Sequence, residues 1–231
     1  MGCRSLVYGC TVVGLSLGVQ SMDPPPANAT ESVLASASFE GDALGAVARP
    51  DGPPTVAEDV WDASTYSGGV SEVVAAGTTK LYRISNVGSS GESKGIVLPF
   101  SSDASSGTLV VEAVATAEQT TSAGGLLSVD EPDKGEWVCL LGFGGDGVFK
   151  VHDSGTTTAY TANARYRFRI TIHFGASPTA DYLVSDFASG NTILESNGHE
   201  LPTAIAAGSM TFRTDAADVG AFTVDALSAV Q

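Results

Sequence analysis

The sequence predicts an all-β protein, a two-sheet antiparallel sandwich, and three observations predict it. Residues 166–174 alternate strictly: Tyr166, Phe168, Ile170, Ile172 and Phe174 face one way, Arg167, Arg169, Thr171 and His173 the other. Period two over nine residues is the signature of a half-buried strand. The composition is 43% hydrophobic but only 16% charged, with 27 glycines, which favours short strands and turns over long amphipathic helices. Similar apolar runs recur at short spacing between clusters of Gly, Asp, Asn and Pro, as sandwiches require.

The amino terminus reads as an address. In residues 1–21 a single basic residue, Arg4, precedes a mildly apolar run at 6–19, and small side chains surround Ser21. This is the layout of an export signal cleaved after Ser21. The run is about 14 residues and holds three glycines, too short for the roughly 20 apolar residues that span a bilayer. The mature chain is therefore expected outside the cytoplasm, secreted or on a cell surface. Val7-Tyr8-Gly9-Cys10 resembles a bacterial lipobox with only a short stretch before it, so direct membrane contact is expected only if Cys10 is lipidated. Met1-Gly2 begins a myristoylation motif, but Leu6 stands where that motif wants Ser or Thr.

Residues 22–35 carry Pro24-Pro25-Pro26 and a sequon, Asn28-Ala29-Thr30. Three prolines impose an extended spacer, so a Pro-rich linker is expected here. Residues 36–231 are expected to form one domain. Its strands are predicted at 80–85, 95–100, 108–118, 135–142, 148–152, 166–174, 181–187, 209–213 and 221–230. Turns are predicted at Gly144-Gly145-Asp146-Gly147, Asp153-Ser154-Gly155, Ser189-Gly190-Asn191 and Asn197-Gly198. A short helical turn is expected around 56–62.

Two segments carry a resemblance. Ser38-Phe39-Glu40-Gly41 looks like the opening strand, and Gly220-Ala221-Phe222-Thr223-Val224-Asp225-Ala226-Leu227 like the closing strand, of laminin G-like, concanavalin A-type jelly rolls. The stretch from 160 to 194 is similar to their central portion. The resemblance implies a jelly-roll sandwich serving carbohydrate binding, adhesion or, less often, polysaccharide cleavage; fold alone does not choose among them.

Charge excludes more than it selects. The chain carries 26 acidic and 11 basic residues, a net charge of −15. Nucleic acid and anionic membranes both demand clustered Lys and Arg, so neither is an expected partner. Of three cysteines, Cys3 and Cys10 lie in the leader, leaving Cys139 in the run Trp137-Val138-Cys139-Leu140-Leu141. A lone Cys in an apolar strand is a small buried hydrophobe, and no disulfide framework or metal-type spacing exists.

Glu131-Pro132-Asp133-Lys134-Gly135-Glu136 has the Glu-x-Asp-x-x-Glu spacing of jelly-roll glucanases, whose retaining mechanism needs two carboxyls about 5–5.5 Å apart. Pro132 and Gly135 instead make a hairpin that turns these carboxylates into water. His152, His173 and His199 lack a nucleophile frame and i, i+4 pairing. No catalytic residue and no cofactor is therefore expected. A structural calcium held by Asp130, Asp146 or Asp153 is an alternative to their ordinary use in turns. Gly142-Phe143-Gly144-Gly145-Asp146-Gly147 lacks the Lys-Ser/Thr of a phosphate loop and reads as a hairpin.

The binding candidates are Arg167, Arg169 and His173, which with Thr171 form one polar row. Their forked donors suit glycan hydroxyls or carboxylates; the rival reading is a solvated face whose arginines pair across strands with Asp or Glu. Trp61 and Trp137 are sugar-stacking candidates, although Trp137 is expected in the core. The functional expectation is an exported, non-catalytic carbohydrate-binding or adhesive module. Its rival is a structural subunit of a surface layer, filament or virion, with neighbouring subunits or further copies as partners.

Overall fold

A computed structural model describes residues 31–45, 59–60, 69–86, 95–121, 125–132, 136–151, 158–214 and 220–231. Residues 1–30, which cover the expected export signal and most of the expected linker, lie outside the described residues, as do Trp61, His152, the expected turn at 153–155 and the expected helical turn except Asp59–Val60, which is strand. Among the described residues there is no helix.

Fourteen strands make the fold: β1 (Val33–Ser38), β2 (Asp59–Val60), β3 (Gly69–Ala76), β4 (Thr79–Asn86), β5 (Gly95–Ala104), β6 (Thr108–Ala117), β7 (Leu126–Asp130), β8 (Trp137–Phe143), β9 (Phe149–Val151), β10 (Arg165–His173), β11 (Thr179–Asp186), β12 (Thr192–Glu200), β13 (Ala207–Arg213) and β14 (Gly220–Val230). They pair antiparallel in two sheets. The larger, sheet A, runs β12-β11-β10-β6-β14-β4-β3, with β1 beside the second half of β14; the six-stranded sheet B runs β2-β5-β13-β7-β8-β9.

The alternating segment becomes β10, and its two faces fall as the pattern requires. Tyr166, Phe168, Ile170 and Ile172 are buried, while Arg167 and His173 are exposed. Burying such a row supplies the main driving force for closing the sandwich, since each large apolar side chain removed from water contributes about 1.5–3 kcal/mol. Between the sheets, Phe168 meets Phe143 edge-on at 4.9 Å and Phe212 at 6.2 Å. Phe149, Tyr160 and Tyr166 extend this aromatic cluster. Cys139 is fully buried, and burial pushes its thiol up, out of the nucleophilic range.

Several boundaries differ from the sequence reading, three of them with a structural consequence. The opening strand is β1, which ends at Ser38 instead of running on through Phe39-Glu40-Gly41. Phe39 is fully buried and residues 40–42 turn away from the sheet. Val33–Ala35 are thus strand rather than linker, because their backbone pairs with β14. Asn197-Gly198 is a bulge within β12 rather than a turn. Gly198 takes φ 73°, the register slips there, and its N–H donates to Asp181 Oδ1 at 2.7 Å.

Candidate functional site

The outward face of sheet A holds the polar row predicted from the sequence, and cross-strand chemistry occupies most of it. Arg169 lies opposite Glu112 and donates to it from Nε and Nη2, each at 2.7 Å from Oε1. His173 Nε2 sits 2.9 Å from Asp181 Oδ2, and Thr108 Oγ1 lies 3.5 Å from His173 Nδ1. Burial works to raise Asp181, but the Gly198 amide and His173 outweigh it and hold the carboxyl below its ordinary range. The Thr–His–Asp order has the look of a relay. At 3.5 Å on an open face, with His173 46% exposed, it is a cross-strand pair rather than an activated nucleophile. Arg83 is likewise held by Glu118 and Glu72. Of the three binding candidates, Arg167 alone has no carboxylate partner among the described residues.

The outward face of sheet B is built differently. Its strands carry polar residues two apart in apolar runs, Ser128 with Asp130 on β7 and Thr211 with Arg213 on β13. Pleating puts each pair on the face turned away from the core. Thr211 stands opposite Ser128, and Arg213 opposite Leu126. Leu126, Leu140, Ser128, Thr211 and Asp130 are all buried there, unlike the half-exposed residues outside sheet A. Asp130 accepts Ser128 Oγ–H at 2.9 Å on one oxygen and Thr211 Oγ1–H at 2.5 Å on the other. Burial raises its carboxyl above the ordinary aspartate value; the two hydroxyls and the Arg213 charge oppose that without cancelling it.

Trp137 closes the constellation. A sequence reading by alternation puts Trp137, Cys139 and Leu141 together in the core. In the structure the register slips between Val129 and Asp130, so Asp130 pairs with Trp137 while Val138 takes the inward place. Trp137 therefore turns outward and is 46% exposed, with the Arg213 guanidinium 4.7 Å from its ring centre. The guanidinium is thus in cation–π contact with the ring.

The other sequence candidates are placed as follows. Glu131 and Glu136 flank the β7–β8 turn, Glu131 N–H bonding to Glu136 C=O, with Glu136 exposed; Asp133 lies outside the described residues. Gly144 and Gly147 form the β8–β9 hairpin, Gly147 at φ 77°. Asp146 lies in that hairpin and Asp130 in the buried constellation; Asp153 is not described. Among the described residues no three His, Cys, Asp or Glu gather as metal ligands.

No family model matches the sequence, and no curated protein matches it. Its fold is shared by many solved structures. A protein of unknown function from Shewanella oneidensis MR-1 is 10% identical, with a TM-score of 0.54 over 87% of this chain and 86% of that one. A carbohydrate esterase from Shiga toxin-encoding bacteriophage phi24B is 10% identical, with 0.52 over 87% and 98%. An alginate lyase solved with alginate tetrasaccharide is 13% identical, with 0.51 over 86% and 96%. The chain spans 16% of a sialidase that matches 69% of it at a TM-score of 0.49. At these identities the likeness is one of fold: an all-β, two-sheet antiparallel sandwich.

Proposed function

We propose that the chain is a non-catalytic carbohydrate-binding module that holds a glycan on the Trp137–Arg213 platform outside sheet B. The observation that carries this reading is a half-exposed indole with a guanidinium over it, standing on a buried polar base. An indole offers an apolar plane for the C–H face of a sugar ring, and a guanidinium offers forked donors for its hydroxyls. Asp130, held by Ser128 and Thr211, adds a carboxyl to the base under this platform, close enough for the Arg213 charge to act on it. Two sandwiches of similar fold are named for carbohydrate chemistry, an esterase and an alginate lyase, which supports a saccharide ligand.

Those two are enzymes by name, an esterase and a lyase; the reading proposed for this chain rests on the platform, not on their chemistry. Glycoside cleavage commonly pairs two carboxyls across the scissile bond, about 5–5.5 Å apart for retention and about 6.5–9.5 Å for inversion. Among the described residues, Asp130 is the one carboxylate that a strand of sheet B places with this constellation.

The test is binding of neutral β-glucan, xylan and mannan oligosaccharides, read by tryptophan fluorescence and calorimetry. At least one of these should bind the wild type. Trp137→Ala should weaken that binding at least about thirtyfold, the loss typical of a binding hot spot, with circular dichroism unchanged. Failure of all three saccharides to bind, or undiminished binding by Trp137→Ala, would overturn the proposal. Assembly of purified protein into an ordered array without glycan affinity would select the structural-subunit reading.

A further inference from the structure

A second constellation lies on the other sheet. Phe187 directly follows β11, and its N–H donates to Arg165 C=O at 3.0 Å, which extends the β10–β11 ladder by one step. The ring is 36% exposed. The Arg165 guanidinium lies 3.9 Å from its centre and the Arg167 guanidinium 5.7 Å. Arg165 is also paired with Asp225, which stands where β14 slips register between Val224 and Ala226. That slip aims a carboxylate at Arg165 and leaves Arg167 without one.

The contrast among the arginines outside sheet A is informative. Arg83, Arg165 and Arg169 each hold a carboxylate, in a chain with 26 acidic residues to choose from. Arg167 lies opposite Ser185 and Val114, neither of which carries charge. It is exposed and leans on a ring already fixed by Arg165, and among the described residues no hydrogen bond or ion pair engages its forked donors. Thr116, opposite Arg165, and Thr192, opposite Ser185, add hydroxyls nearby. A guanidinium placed over an aromatic ring and near several hydroxyls matches a ring bearing an oxyanion.

We infer that Arg167, with Phe187 and Arg165, forms a second binding site, on the face opposite the Trp137 platform, for an acidic sugar unit bearing a carboxylate or a sulfate. The sugar character of the ligand rests on the proposed carbohydrate function; its negative charge rests on Arg167 alone. Arg167 takes the oxyanion through two parallel N–H donors, and Ser185 takes a ring hydroxyl. Affinity at such a site falls with salt, because the pair is exposed to screening.

The experiment titrates the full chain with tetragalacturonate, a sulfated disaccharide and neutral cellotetraose, in wild type, Arg167→Ala, Arg167→Lys and Trp137→Ala. Binding of at least one anionic probe is expected. Arg167→Ala should weaken it by roughly tenfold or more, the scale of a lost charged hydrogen bond. Arg167→Lys should retain part of the affinity, since it keeps the charge and loses the fork. Trp137→Ala should leave anionic binding at the Arg167 site intact, and Arg167→Ala should leave cellotetraose binding as in wild type. Binding of the sulfated probe alone would still support an oxyanion site at Arg167. The inference is overturned if neither anionic probe binds. Unchanged anionic binding in Arg167→Ala, or loss of it in Trp137→Ala instead, overturns it equally. A chain that binds an anionic probe through Arg167 but ignores every neutral glycan would sink the platform and leave this site standing.

Discussion

Replacing Phe168 by alanine tests the assignment of faces on which the Arg167 site depends. Phe168 is fully buried on β10, in edge-to-face contact with Phe143 at 4.9 Å, Phe149 at 5.8 Å and Phe212 at 6.2 Å, all from the opposing sheet. Removing the ring forfeits about 1.5–3 kcal/mol of burial. The aromatic contacts, about 0.5–1.5 kcal/mol each beyond area, bring the cost to the upper part of the range for Phe→Ala, about 3–5 kcal/mol. Arg167→Ala, one residue away, touches only an exposed cation–π contact and should cost under about 1 kcal/mol. Arg169→Ala breaks a pair whose side chains are 43% and 30% exposed, again under about 1 kcal/mol after screening. Urea unfolding monitored by circular dichroism gives all three as midpoint shifts at a common slope. If either arginine variant loses as much stability as Phe168→Ala, the faces of β10 are wrongly assigned. The Arg167 site would then have no basis.

Two further predictions concern sheet B. Asp130 is raised in the folded state relative to the unfolded chain. Its contribution is therefore fully present below the unfolded aspartate value and is lost as pH rises through the folded one. Asp130→Asn should gain stability relative to wild type on going from about pH 3 to about pH 7, spanning the carboxylate range; urea midpoints that move the other way would show the carboxylate to be favoured by its site. Gly142 stands opposite Leu126, and a Cβ there would lie 2.4 Å from the Gly125 carbonyl oxygen and 2.7 Å from the Leu126 Cα. Because backbone cannot step aside, Gly142→Ala should lower stability by about 1–3 kcal/mol or more, as overpacking does; an unshifted thermal midpoint would refute that contact.

The strongly periodic strands were legible in the sequence because one buried face writes period two directly into residue order. Residues 166–174 became β10 nearly to the residue, and the runs behind β4, β5, β6, β11, β13 and β14 were equally visible. β7 escaped because all five of its residues are buried, which erases alternation. β12 escaped for the opposite reason: at the sheet edge only Leu194 is buried, and its Asn-Gly pair makes a bulge rather than a turn. The site divided in the same way. Arg167, Arg169 and His173 were correctly placed on one outward face, but pairing with Glu112 and Asp181 depends on which strands become neighbours. The Trp137 platform depended on a one-residue slip between β7 and β8, invisible to any local pattern. The alternate polar positions Ser128, Asp130, Thr211 and Arg213 were the signal that could have found its base.

The pairing of β1 with β14 sets an order on folding. Val33 lies against Val230, and Ser32 and Gln231 exchange backbone hydrogen bonds at 2.7 and 2.9 Å, so this ladder closes a loop of roughly two hundred residues, the costliest closure entropy the chain can incur. Nearly all other contacts of β14 can form first, against β6 and β4. Until β1 arrives, the second half of β14 presents a bare row of N–H and C=O groups to any passing strand. β1 thus acts as a seal fitted last over an adhesive edge, and a chain shortened by those six residues would be expected to self-associate through it.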